Sequence, residues 1–105
     1  FLRYYLQGAD TLLSVVGDDW KWGKNWRFAW AIRNAIAHDG KIDIRNSSKK
    51  SVEWDGLRFA HADNGHPVLA QDIGMADLVA LMIAMDQELR EVVRAVKQPV
   101  DLKNE

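Results

Sequence analysis

Apolar residues recur along the first part of the chain with the rhythm of a helix. Leu2, Tyr5, Leu6, Ala9, Leu12, Leu13 and Val16 follow the i, i+3, i+4, i+7 spacing that gathers them on one face. The pattern predicts a helix over residues 2–16, ended by Gly17. A second helix is expected over residues 19–38, with Asp18 or Asp19 as its N-cap and Gly40 as a left-handed stop after it. From Asp72 the helical period returns: Leu78, Leu81, Met82, Met85, Leu89, Val92, Val93 and Val96 make a wide apolar stripe. That third helix is expected over residues 73–98, with Asp72 as N-cap and Pro99 halting it. Gly74 near its start would admit a close helix crossing.

The pattern between the second and third long helices is different. Asn46 to Ser51 is polar and reads as an exposed loop. Val52, Trp54, Leu57 and Phe59 alternate as in an extended strand. Asp63-Asn64-Gly65 then offers turn residues that tolerate positive φ, with Pro67 to Ala70 as the return strand. Asp55-Gly56 is a competing turn or bulge, and Ile42 and Ile44 would add a short third strand. The fold class is therefore mainly α, with a β-hairpin or small β-sheet insertion over about residues 42–71 before the last long helix.

The second helix is unusually aromatic. Trp20, Trp22, Trp26, Phe28 and Trp30 fall within eleven residues. Trp22, Trp26, Trp30, Arg33 and Ala37 form one stripe, and Phe28, Ile32, Ala35 and Ile36 form a second apolar side. A helix apolar over most of its circumference is buried on more than one face. Packing in a core or dimer interface thus explains the tryptophans more simply than stacking on nucleic-acid bases.

Composition narrows the classes. A chain of 105 residues with 48% hydrophobic and 28% charged residues is sized and balanced for one folded domain, spanning 1–105. Cysteine is absent, which excludes a thiolate nucleophile or thiolate metal site and fits a reducing, cytoplasmic location. No long charge-free apolar run is present, so no membrane span is expected. A net charge of −1 argues against a broad basic surface for DNA, although Lys21, Lys24, Arg27 and Arg33 make the second helix locally basic. The chain begins at Phe1 rather than methionine, as expected where residues precede it.

The candidate chemistry lies at the end of that helix, in Arg33-Asn34-Ala35-Ile36-Ala37-His38 followed by Asp39-Gly40. A histidine can take the proton from an RNA 2′-OH, and a second can protonate the leaving 5′-oxygen. An arginine fork matches the non-bridging oxygens of a phosphodiester. Asn34 can hydrogen-bond the phosphate or steady the imidazole. The simpler account is an arginine paired with a carboxylate and a histidine favoured at a helix C-terminus by the dipole. Five residues of ideal helix separate the directions of Arg33 and His38 by roughly 140°. Convergence then requires either His38 bent inward by the Asp39-Gly40 exit, or a site shared between two copies across a two-fold axis.

These six residues resemble the signature of HEPN domains: an arginine, a polar residue and, a few positions on, a histidine. The resemblance implies an HEPN-like helical bundle that forms a homodimer and joins two motifs in one cleft. It implies a metal-independent endoribonuclease of a toxin–antitoxin or abortive-infection type, working without a cofactor, with Arg33 and His38 as catalytic pair and Asn34 as polar auxiliary. Its partners would be the RNA substrate and a cognate antitoxin or regulatory protein. The β-like insertion departs from the plain helical bundle. Two other readings stand beside it: a non-catalytic HEPN-like protein-interaction module, and a module that binds RNA without cutting it.

Other polar residues offer less. His61, Asp63 and His66 around the presumed turn have ligand chemistry, but a zinc site wants three or four protein ligands and an ordinary polar turn is the simpler account. Asp10, Asp77 and Asp86 would share a cleft only if their helices were so arranged, and helix solubility explains them equally.

Overall fold

The computed structural model describes residues 1–18, 21–44 and 50–103, with backbone alone for residues 70 and 97–103. In chain order it comprises α1 (Leu2–Val15), α2 (Lys24–Ala37), β1 (Ser51–Trp54), β2 (Leu57–Ala60), a 3₁₀ turn (His61–Asp63), α3 (Val68–Gln71) and α4 (Met75–Lys103). The protein is mainly helical, with a small antiparallel hairpin before the last long helix, as the apolar rhythm predicts. No helix among the described residues is long and apolar enough to cross a membrane.

Helix α2 lies at the centre. Its Trp26, Phe28, Ala29, Ala31, Ile32 and Ala35 are almost completely buried, on nearly every side of the helix. One side meets α1 and α4. There Trp26 packs against Tyr4 and Tyr5, meets Trp22 edge-on, and donates its indole N–H to the Met85 carbonyl at 2.8 Å. Gly8 of α1 makes this possible, because a Cβ at that position would sit 2.1 Å from the Trp26 ring. The other side of α2 meets the hairpin, where Phe28 packs on Trp54 and Phe59.

The start of α2 differs from expectation. The helix begins at Lys24 behind Gly23, not at residue 19, and neither expected aspartate caps it. Asp18 contributes its carbonyl to a turn with the Lys21 N–H; Asp19 lies outside the described residues. The cap comes from α4: the backbone N–H groups of Asn25 and Trp26 donate to the Glu88 carboxylate at 3.1 and 3.4 Å. A negative group there also meets the positive end of the helix dipole.

The hairpin also takes the turn ranked second by sequence. Asp55 and Gly56 both have positive φ, 52° and 81°, as a two-residue turn of the I′ kind requires. Val52 pairs with Phe59 on the buried face and Glu53 with Arg58 on the exposed one. The expected return strand, Pro67 to Ala70, instead leads into and forms most of α3, since a proline without an N–H is as well tolerated at a helix start as at a strand start. Ile42 and Ile44 join no sheet among the described residues. They belong to an irregular strap, residues 41–44, with both isoleucines buried. Most of the expected loop, Asn46 to Lys49, lies outside the described residues.

Helix α4 starts at Met75. Asp72, the expected N-cap, turns away to His66, and Asp77 accepts from the Gly74 N–H at 2.9 Å in its place. Gly74 meets only its own Asp77, so the close helix approach is at Gly8 rather than at Gly74. Leu81 and Met85 are fully buried; Val79 and Ile83 face outward beside α1. The backbone stays helical to Lys103, past Pro99, where a halt was expected. A proline removes one backbone donor, and the bonds of the residues around it can carry the helix through.

Candidate functional site

The end of α2 is built to turn sharply. The His38 N–H and the Gly40 N–H both donate to the Ala35 carbonyl, at 3.0 and 2.8 Å. Asp39 and Gly40 hold φ of 57° and 77°, so two successive left-handed residues throw the chain back across the helix end. His38 already has non-helical backbone angles, φ −126° and ψ 51°. It is therefore released from the helical phase that would have aimed it away from Arg33.

The result is a cleft of about 280 Å³ lined by Trp30, Arg33, Asn34, His38 and Asp43. All three predicted site residues border it within one chain, by the first of the two routes: the bent exit. Arg33 is exposed, and its Nη1 donates to the Asn34 side-chain oxygen at 3.2 Å. It has no carboxylate partner among the described residues. His38 is 45% exposed in its side chain, and its Nε2 lies 2.9 Å from an oxygen of Asp43, whose side chain is 26% exposed. The guanidinium thus faces solvent in a cleft that the half-exposed His38 imidazole, held by Asp43, also lines.

Two lining residues were not singled out from the sequence. Asp43 had a readable signal: in Ile42-Asp43-Ile44 the flanking residues are buried, and alternation sends the middle one to the opposite side. Trp30 was grouped with the other tryptophans of its stripe. The stripe divides in the structure: Trp22 and Trp26 are core, and Trp30 is half-buried at the cleft.

The remaining candidates go elsewhere. His66 stacks on Phe59 with ring centres 5.7 Å apart, and its Nε2 bonds the Asp72 carboxylate. His61 donates through Nδ1 to the Ile44 carbonyl at 2.7 Å. Asp63 accepts from the Ala60 N–H at 2.8 Å, closing the 3₁₀ turn. Among the described residues, no three His, Asp or Glu side chains gather as metal ligands. Asp10 is exposed, while Asp77 caps α4 and Asp86 bonds Tyr4 and Arg90, so the latter two are engaged separately. A second, mostly apolar groove of about 530 Å³ runs between α1 and α4, lined by Tyr4, Val79, Met82, Ile83 and the rim residues Asp86, Gln87 and Arg90. Burial, then the neighbouring Asp86 carboxylate, raises the Tyr4 phenol above its ordinary value.

No family model, no curated protein and no solved structure matches this chain.

Proposed function

We propose that the chain is a metal-independent endoribonuclease with an HEPN-like site, working as a homodimer in a toxin or phage-defence role. The observation that carries the reading is the shared cleft of the Arg33 guanidinium, without a carboxylate partner among the described residues, and a solvent-reaching imidazole, His38. In the proposed reaction the RNA 2′-oxygen attacks phosphorus as His38 takes its proton. The 5′-oxygen leaves with a proton from the imidazolium of a second copy, giving a 2′,3′-cyclic phosphate and a 5′-hydroxyl. Arg33 holds the non-bridging oxygens as their charge grows, so the positive charge a metal would supply comes from the side chain. Asn34, bonded to Arg33, steadies the fork.

The test is cleavage of a labelled single-stranded RNA in excess EDTA, with product ends identified. Cyclic phosphate ends are expected from the wild type. His38→Ala is expected to lose about 10²-fold or more of the rate, and Arg33→Ala to fall comparably, with the helical circular dichroism unchanged. Undiminished cleavage by His38→Ala would overturn the proposal. RNA retained but never cut would select the RNA-binding reading.

The protein-interaction module is favoured by a different observation: Leu6 of α1 and Val79 and Ile83 of α4 are each more than half exposed. A cognate antitoxin or regulatory protein would be the partner in that reading. It predicts association that survives His38→Ala and Arg33→Ala and weakens on Ile83→Asp.

A further inference from the structure

We infer that Asp43 is a positioning residue that fixes the tautomer and orientation of His38, leaving Nδ1 as the nitrogen presented to the reacting hydroxyl; this rests on the ribonuclease reading above. An ionised carboxylate can only accept, so the 2.9 Å contact with Nε2 requires the proton on Nε2. A neutral imidazole carries one N–H, and the lone pair is then on Nδ1. Without Asp43 the ring would have little to hold it, because His38 is exposed and its backbone has left the helix.

The carboxylate, by contrast, stands on an anchored strap. On one side the Ile42 N–H donates to the His66 carbonyl, and the Gly65 N–H donates to the Ile42 carbonyl, both at 2.9 Å. On the other, the Ile44 N–H donates to the Asn64 side-chain oxygen at 2.8 Å. The Ile44 carbonyl accepts from Asn64 Nδ2 and His61 Nδ1. Buried Ile42 and Ile44 clamp the segment from below. The turn over residues 61–66 thus holds the strap, the strap holds Asp43, and Asp43 holds the imidazole. This gives the strap over residues 41–44 and the turn over residues 61–66 a part in the chemistry that is exerted through His38.

The test joins a spectroscopic readout to a kinetic one. At about pH 8.5, where an ordinary histidine is neutral, imidazole ¹⁵N spectra are expected to show His38 as a single Nε2–H tautomer. In Asp43→Ala the two tautomers mix. The same variant is expected to lower kcat by about 10–100-fold with KM unchanged or lower, since the lost group orients the base and repels phosphate. Asp43→Asn, whose amide both donates and accepts, falls between. A mixed or Nδ1–H tautomer in the wild type, or an unchanged kcat in Asp43→Ala, overturns the assignment. If the tautomer responds as expected but the wild type cuts no RNA, the ribonuclease reading falls and the ring-setting role of Asp43 stands.

Discussion

The two ends of α2 are made for opposite tasks. At its N-terminal end Trp22 and Trp26 are sealed among α1 and α4, and a carboxylate from α4 closes the exposed amides. At its C-terminal end Arg33 and His38 stand open to solvent, with a carboxylate holding only one edge of the ring. The same charge type serves both ends. Glu88 satisfies backbone amides and completes a fold; Asp43 meets one nitrogen of a half-exposed imidazole. The difference lies in what the carboxylate touches and in how much water is left around the partner.

That contrast predicts a separation of effects. The largest loss of stability is expected at the sealed end: Trp26→Ala should cost about 3–5 kcal/mol, read by denaturant unfolding. His38→Ala, expected to cripple the proposed cleavage, should move stability by no more than about 0.5 kcal/mol. Equal destabilisation by the two substitutions would break the comparison. Next comes Glu88→Ala, which leaves the Asn25 and Trp26 N–H groups without their acceptor. It should cost about 1 kcal/mol, with RNA cleavage per folded molecule unaltered.

The smallest effect concerns Tyr4, which packs on Trp26 and bonds Asp86. Its phenol is raised above 10.0 in the folded chain, chiefly by burial and then by Asp86. The unfolded chain therefore ionises first as pH rises. The stabilisation tied to the neutral phenol is complete below that ordinary value and is lost as pH climbs through the folded one. Tyr4→Phe should flatten part of the fall in Tm above about pH 10, measured against the wild type. A parallel fall in both proteins would show that other groups govern the alkaline limb.

What could be read in the residues was local. The all-round burial of α2 and its left-handed exit at Gly40 follow from spacing and turn chemistry within a few positions. The choice between Asp55-Gly56 and Asp63-Asn64-Gly65 as hairpin turn does not, because both have suitable residues. It is settled by Phe28, far upstream, which packs on Trp54 and Phe59. The late start of α2 is of the same kind, since its cap lies 63 residues from Asn25. For the candidate site, Arg33, Asn34 and His38 were visible as residue types and the bent exit as one of two routes; spacing alone does not choose between the routes, and the backbone angles show the bend. Asp43 stands between Ile42 and Ile44, whose spacing reads as a strand, and nothing local ties its carboxylate to His38.

Two left-handed residues at positions 39 and 40 loosen the tie between sequence gap and geometry. A helix acts as a ruler only while it continues, and His38 stands where the ruler has run out. Arginine and histidine can then meet across gaps that helical arithmetic would reject, provided a corner of this sort follows. Surveys that admit only face-matched gaps would pass over such chains; including the corner in the pattern would keep them.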